Sequence, residues 1–456
     1  MTGAAHSDPA TDWAAGAGPA PVQPIGDLDA DAAALDRYAE AAEDVLAALP
    51  APAKRDPAQR DLADQVFAGT RAARRAFLAA HTEAVYDAVT ANRSRHLRLP
   101  DVVYAVADRF PGLAPTRAQM DAERAYIQAD KEGREIDQGL LCGALLRSPS
   151  VGRHLIDAML MPTPRALELL EEFRATGRAA LDSLVVERRG GAAHVTFRNT
   201  HCLNAEDNRL IADLETAVDL ALLDDQVWVG VLRGGEVDHP KYQGRRVFSA
   251  GINLKDLRDG AISFLDFLMG RELGYLNKIL RGLCVAPEAA AWAERTTQKP
   301  WVGAVDTFAI GGGMQLLLVL DRVIAEEDAY VSLPAAEEGI VPGLGNLRLG
   351  RLTGARLSRQ VILGGRRIAM RDREASLVCD EIVPAEELDE AVERAVRDLS
   401  APAVAANRRM LNLSEEPLDL FREYLAEFAV TQVARAYSDD VLAKVERRWQ
   451  RSRSRR

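Results

Sequence analysis

At 456 residues the chain exceeds what one hydrophobic core usually organises, and 48% hydrophobic, 27% charged and 5% aromatic residues describe a globular protein, not a fibrous or disordered one. A formal net charge of -11 excludes a broad nucleic-acid-binding face, which needs clustered cations to neutralise phosphates. No apolar run reaches the ~20 residues of a bilayer span, and the opening MTGAAHSDPATDWAAG lacks a basic stretch followed by an apolar one, so a cytoplasmic protein with no membrane partner is expected.

Pro9, Pro19, Pro21 and Pro24 among Ala and Gly predict a mobile arm over residues 1–25. From residue 26 the pattern turns helical. Apolar residues recur at three- and four-residue spacing over 31–49, 59–90 and 121–146, with breaks at Pro50, Pro52, Pro100, Pro111 and Pro115, which predicts an all-helical N-terminal domain over 26–183. At Leu184 the segment LVVERRGGAAHVTF alternates apolar and polar residues around Gly190 and Gly191, the signature of a hairpin. A second domain, 184–411, follows, in which VWVGVLRG, PWVGAVD, DRVIAEED and AYVSL read as strands, with helices over 264–281 and from Met314. Strands alternating with helices predict an α/β domain with parallel crossovers. Residues 412–456 are expected to form C-terminal helices with a solvated basic end, RSRSRR. Their apolar face, Leu418, Phe421, Leu425 and Phe428, must cover either the chain's own core or a neighbouring subunit.

Cys142, Cys202, Cys284 and Cys379 form no CxxC pair, and the seven histidines contain no HExxH, so neither a disulfide framework nor a metal site is expected. GLGNLRLG lacks the GxGxxG spacing of a dinucleotide loop.

The chemistry-bearing segments are RNTHCLNAED, FSAGINLKDL and KPWVGAVDTFAIGGGMQLLLVLD followed by LPAAEEGIVPGLGNLRL. In FSAGINL, Gly251 permits a backbone turn that lets the N–H of Ile252 point into a cavity. In FAIGGGMQLLL, Gly311, Gly312 and Gly313 precede an apolar helix, where unpaired N–H groups and the positive end of the helix dipole favour an anion. In this order and spacing the segments resemble the crotonase (enoyl-CoA hydratase/isomerase) superfamily over roughly residues 184–411. The resemblance implies a spiral ββα domain that binds an acyl-coenzyme A thioester. It also implies an oxyanion hole made by the N–H groups of Ile252 and Gly312, with Gly313 as the alternative second donor. His201, Cys202 and Leu203 match the loop that runs beside coenzyme A, and Ala250 and Asn253 flank Ile252 among the implied substrate contacts. Adjacent His201 and Cys202 on extended backbone point to opposite faces, which argues against a thiolate nucleophile.

Departures from the family pattern are equally informative. Gln315 and Ala335 stand where hydratases carry the two glutamates that handle water, so ordinary enoyl-CoA hydration is not expected, although Glu337 and Glu338 lie close in sequence. Glu206 puts a carboxylate where the loop often faces the acyl group with an apolar residue. An insertion, EVDHPKYQGRR, brings His239, Lys241, Tyr242, Arg245 and Arg246 towards the expected mouth. Arg271 lies on a largely apolar helical stripe and reads equally as a site residue or as a surface ion pair with Glu272. Together with the N-terminal helices, these features resemble one branch of the superfamily, the cofactor-independent aryl-acetyl-CoA dioxygenases of glycopeptide-antibiotic biosynthesis. That branch implies attack of dioxygen on the enolate and release of free coenzyme A, with no metal or flavin. Glu206, Arg271 and Gln315 would contact the acyl group, and Ile252, Leu254, Phe308 and Ile310 would hold dioxygen. No residue stands out as the base. Another crotonase-type lyase, isomerase or thioesterase, and a non-catalytic acyl-CoA scaffold, are the alternatives. The superfamily's usual homo-trimers or hexamers supply the expected assembly.

Overall fold

A computed structural model describes Trp13 and residues 22–289 and 295–453; the arm expected over 1–25 and the last residues of the basic end lie largely outside these. The chain divides into two compact units, one reaching to Leu155 and including Leu425–Tyr437, the other comprising Ile156–Tyr424 and Ser438–Arg456.

The first unit is helical. Helix α1 (Leu28–Ala48) starts where the Asp27 side chain accepts the N–H of Ala30, and α2 (Pro57–Val89) starts at a reciprocal Asp56–Gln59 capping box, so the polar residue before each apolar run satisfies free backbone donors. Leu35, Phe77 and Tyr86 on these helices are buried, and buried Asp31 of α1 meets His81 of α2 at 2.6 Å. Helix α3 (Leu99–Arg109) follows. The single helix expected over 121–146 is instead two, α4 (Arg117–Glu123) and α5 (Arg134–Arg147). Gly133, at φ +81°, redirects the chain, and the Glu123 carboxylate accepts the Glu132 N–H at 2.6 Å. Burial pushes the Glu123 carboxyl up to about 6. On α5, Gly139 and Gly143 are one helical turn apart and let a neighbouring helical segment pack at backbone distance. A Cβ on Gly139 would sit 2.6 Å from Val433 Cγ1 and 2.9 Å from the Ala429 carbonyl. Of the apolar face named above, Phe421, Leu425 and Phe428 are buried within the chain itself.

The second unit contains α7 (Pro164–Thr176), which follows α6 (Pro149–Met159). The unit boundary therefore precedes the change of sequence pattern at Leu184. The reason is fully buried Asp213, which accepts from Arg165 of α7 at 2.6 Å and from the N–H and hydroxyl of Ser183, tying both segments to the sheet unit. Strands β1 (Arg178–Ala180), β2 (Leu184–Arg189) and β3 (Ala192–Phe197) are antiparallel, the β2–β3 turn using Gly190 and Gly191 at φ +57° and +80° as the hairpin pattern requires. After α8 (Asn208–Leu223) the sheet continues in parallel through β4 (Val229–Gly234), β5 (Trp301–Val305), β7 (Arg322–Glu326) and β9 (Glu381–Val383), in the spatial order β1-β2-β3-β4-β5-β7-β9. β5 is buried throughout because α8 and its neighbours fill one face while α14 (Leu388–Leu399) covers the other through Leu388, Val392 and Val396.

The segment carrying the site branches off this sheet. α9 (Leu254–Arg258) precedes a π-helical turn over Phe264–Met269, then α10 (Gly270–Leu273) and α11 (Tyr275–Arg281). The continuous helix expected over 264–281 is interrupted at Gly274, where a Cβ would lie 2.4 Å from the Gly270 carbonyl. Lys278, wholly buried, anchors α11 on α8 through Glu215 at 2.8 Å and Asp219 at 2.7 Å. A smaller sheet pairs β6 (Phe308–Ile310) in parallel with β8 (Tyr330–Ser332), and α12 (Gly312–Leu317) leaves the end of β6. α13 (Gly345–Gly364), α15 (Pro402–Glu415), α16 (Leu418–Ala436) and α17 (Asp439–Arg453) complete the order; among the described residues no helix is long and apolar enough to cross a membrane.

Gly139→Val should overpack the α5 surface and lower stability by about 1–3 kcal/mol, seen as a drop in the thermal midpoint. An unchanged melt would mean that Leu425–Tyr437 does not approach α5 this closely.

Candidate active site

Two glycine turns define the centre. Glu206 forms a parallel bridge with Ile252: the Glu206 N–H donates to the Gly251 carbonyl at 2.7 Å, and the Asn253 N–H donates to the Glu206 carbonyl at 2.8 Å. In parallel pairing the residue bracketed by those two bonds turns its own N–H the other way, so the Ile252 N–H faces away from Glu206's backbone. Beside it, Ser249 bridges Ala309 of β6, and α12 begins with Gly311 at φ +56°, ψ -116°, a backbone state open to glycine. The first intrahelical bond, from Gln315 N–H to the Gly311 carbonyl at 3.0 Å, leaves Gly312, Gly313 and Met314 at helix positions without an intrahelical acceptor. The two turns touch: a Cβ on Gly311 would lie 3.4 Å from Gly251 Cα. Gly312 must be glycine, because a Cβ there would fall 1.9 Å from Glu206 Oε2.

Arg271 organises the polar side of this centre. Its Nε and Nη2 donate to the two oxygens of Glu206 at 3.0 and 3.2 Å, Nη2 also to the Gly312 carbonyl at 2.6 Å, and Nη1 to Glu272 Oε1 at 2.9 Å and Gln315 Oε1 at 3.1 Å. All five guanidinium N–H groups are engaged. Tyr275, one turn after Arg271, reaches Glu206 Oε1 at 3.4 Å. Burial opposes the Arg271 cation, but Glu206, Tyr275 and Glu272 more than offset it and hold the pKa above the ordinary arginine value; burial drives the Tyr275 phenol well up. The Arg271–Glu272 pair is present, buried rather than on the surface. Gln315 turns its oxygen to Arg271, which leaves its NH₂ group as the donor for anything bound beyond it.

Behind Glu272 the charges continue. Arg348 Nη1 lies 3.7 Å from Glu272 Oε2 and grips Glu416 at 3.0 and 3.1 Å, and Glu416 also accepts from Arg281 and Arg351. Burial raises the Glu416 carboxyl, yet the arginines dominate and hold it at about 2. Tyr275, Arg348 and Glu416 did not stand out in the sequence, whereas Glu272 did so only as a surface partner of Arg271. Tyr275 carried a signal in its spacing from Arg271, while Glu416 is more than a hundred residues away along the chain.

His201, Cys202, Leu203, His239 and Asn253 come together in an open cleft of about 770 Å³ that also includes Arg209 and Lys255. Ala250 borders it through its N–H bond to the Leu203 carbonyl at 3.1 Å. Burial pushes the Cys202 thiol up to about 11, consistent with a packing role. Of the insertion's side chains, only His239 lines this cleft. Arg245 pairs with Glu326 at 2.9 Å, Arg246 lines a separate groove with Arg189 and Arg233, and Lys241 lies over the Tyr242 ring, because backbone pairing of Val237 with the 243–245 stretch folds the loop back on itself. The four apolar residues expected around dioxygen divide. Phe308 stacks on Tyr330 and meets Tyr242 edge-on, with Ile310 against the same cluster, Ile252 packs on the main core, and Leu254 opens α9. Ala335 is buried, and Glu337 is exposed with its carboxylate against Gly365 at the end of α13. Among the described residues, no three His, Cys, Asp or Glu side chains converge as metal ligands would.

Residues 187–419 match the Enoyl-CoA hydratase/isomerase family. The chain belongs to that family. It is 54% identical over 91% of its length to a (3,5-dihydroxyphenyl)acetyl-CoA 1,2-dioxygenase of Amycolatopsis orientalis, covering 95% of that protein. A probable enoyl-CoA hydratase of Rhizobium meliloti (strain 1021) is 30% identical over 52% of this chain and 83% of its own. Among solved structures, an enoyl-CoA hydratase from Mycobacterium avium subsp. paratuberculosis K-10 aligns with a TM-score of 0.49 at 21% identity, covering 60% of this chain and 97% of that one. The first relative spans the helical unit as well as the crotonase unit.

Glu416 has a folded pKa below the ordinary 4.5 of a glutamate, so its contribution to stability is full above about 4.5 and is lost as pH falls towards about 2. Glu416→Gln should flatten this part of the acid limb in a thermal-midpoint titration between pH 5 and 2; an unaltered slope would contradict the pairing.

Proposed function

We propose that the protein is a cofactor-independent dioxygenase that converts 3,5-dihydroxyphenylacetyl-CoA and dioxygen to 3,5-dihydroxyphenylglyoxylate and free coenzyme A. The observation that carries this reading is the polar wall of Glu206, Arg271 and Gln315 beside the Gly312 turn, in a chain 54% identical to a dioxygenase of that name. Coenzyme A runs through the cleft past His201, Cys202, Leu203, His239 and Asn253, with Ala250 at its edge. The thioester oxygen sits between the N–H groups of Ile252 and Gly312, Gly313 being the alternative donor, and these stabilise the negative charge that forms when an α-proton leaves. The ring hydroxyls meet the Glu206 carboxylate and the Gln315 amide. Arg271, with all its donors engaged, acts on the ring through those two groups.

The enolate gives an electron to dioxygen, and recombination forms a peroxide on the α-carbon. The distal peroxide oxygen attacks the thioester carbonyl and expels the coenzyme A thiolate. Loss of the second α-proton then breaks the O–O bond, giving the ketone and the carboxylate. Both atoms of dioxygen enter the product, and neither a metal nor a flavin is needed. Gln315 and Ala335 at the hydratase positions leave the enolate without the carboxylates that would manage water. Of the residues expected to hold dioxygen, Ile252 on the main core beside the Gly251 turn supplies an apolar wall, while Phe308 and Ile310 pack into the Tyr242–Tyr330 cluster instead. We further propose a cytoplasmic homo-trimer or hexamer, supported by Met410, Leu411 and Leu413, which are 63%, 58% and 57% exposed on α15.

The test is to incubate metal-free protein with 3,5-dihydroxyphenylacetyl-CoA and follow dioxygen uptake with free thiol. Coupled uptake and thiol release in a 1:1 ratio is expected; thiol without uptake would indicate a thioesterase and overturn the reading, and neither would point to a scaffold or another substrate. Gly312→Ala, whose methyl would strike Glu206 and force the turn with its N–H out of place, should lower kcat about 10²-fold, the scale of losing one oxyanion donor.

A further inference from the structure

We infer that Glu272, seated against Gly343, is a positioning residue that sets the protein's discrimination between hydroxylated and unhydroxylated arylacetyl groups; this rests on the acyl-pocket reading above. Glu272 is 2% exposed and lies behind Arg271, away from the cleft that takes coenzyme A. Its Oε1 accepts Arg271 Nη1 at 2.9 Å, the same nitrogen that donates to Gln315 Oε1 at 3.1 Å. One guanidinium nitrogen therefore couples the Glu272 carboxylate to the orientation of the Gln315 amide. The other edge of the same planar fork holds Glu206 at 3.0 and 3.2 Å, so rotation of the guanidinium moves both ring-facing groups together.

Space around Glu272 is as restricted as its bonding. Gly343, at φ +46°, has its α-carbon so close that a Cβ would lie 2.0 Å from Glu272 Oε1 and 2.7 Å from Gln315 Oε1. Its carbonyl is fixed by the Tyr424 hydroxyl at 2.9 Å. Glu272 Oε2 faces Arg348, which Glu416 holds bidentately. Glu272 is thus fixed from three sides and passes that constraint to Arg271. With Glu272 neutral, Glu206 becomes the one carboxylate on Arg271 and is drawn into that pair, leaving it a poorer acceptor for a ring hydroxyl.

The experiment compares Kd values, measured anaerobically, and kcat/KM for 3,5-dihydroxyphenylacetyl-CoA and phenylacetyl-CoA in wild type, Glu272→Gln and Gly343→Ala, with thermal midpoints alongside. The wild type should prefer the dihydroxy thioester, and each variant should lose about tenfold of that preference, the worth of a hydrogen bond to a charged group. Affinity for phenylacetyl-CoA should stay within about twofold in Glu272→Gln, because an unhydroxylated ring makes no hydrogen bond to Glu206 or Gln315, the two groups the fork orients. Glu272→Asp, which keeps the charge, should retain more of the preference than Glu272→Gln. An equal loss for both thioesters would show a merely structural role and overturn the inference, as would an unchanged preference. If Glu272→Gln does not fold, Gly343→Ala and Glu272→Asp decide it by the same ratio. A wild type that binds both thioesters equally would overturn the acyl-pocket reading and this inference with it; a wild type that discriminates in binding but consumes no dioxygen would overturn the proposed reaction alone.

Discussion

The site depends on one cation placed out of water. Arg271 is 4% exposed, and a bare charge at that depth would cost several kcal/mol; it is kept by two carboxylates, an amide and a backbone carbonyl that together use every donor it has. The partners come from three pieces of the chain: Glu206 from the loop after β3, Gln315 and Gly312 from α12, and Glu272 from the same short helix as Arg271. The cation is therefore what assembles the loops around the glycine turns. The small residues follow from it, since Gly312 and Gly343 are the positions where any side chain would strike the carboxylates that neutralise Arg271.

The sheet supplies the platform for this arrangement. Its parallel strands end where β6 and α12 begin, so the free N–H groups of a helix start are presented beside the Gly251 turn. The pairing of Glu206 with Ile252 has a double consequence: it turns the Ile252 N–H outwards and anchors the backbone from which Glu206 sends its carboxylate to Arg271. The proposed oxyanion donor and the proposed substrate-facing acid are thus linked through two backbone hydrogen bonds. Lys278 and its carboxylate partners hold α11 on α8, which keeps the Arg271–Tyr275 turn in register with that loop.

Some departures from sequence expectation share a physical cause. The helix anticipated over 121–146 is interrupted from Arg124 to Gly133 and the one over 264–281 at Gly274, because periodicity records which face is buried and not whether the backbone stays helical between turns. The insertion's arginines were expected near the mouth from its place just before FSAGINL. Arg245 instead satisfies Glu326, since a loop that folds back on itself directs its side chains by its own pairing.

The sequence by itself determined the local chemistry: the hairpin at Gly190–Gly191, the parallel α/β order, the two glycine turns, the family, and the replacement of two family glutamates by Gln315 and Ala335. These are readable because each depends on residue type within a few positions, through backbone sterics or side-chain acidity. Only the tertiary structure decided that Arg271 is a buried hub and not a surface pair, that Glu416 lies behind it through Arg348, and that Phe421, Leu425 and Phe428 cover the chain's own interior. Those outcomes rest on burial and on charge partners brought together from distant segments. Local spacing along the chain does not encode either.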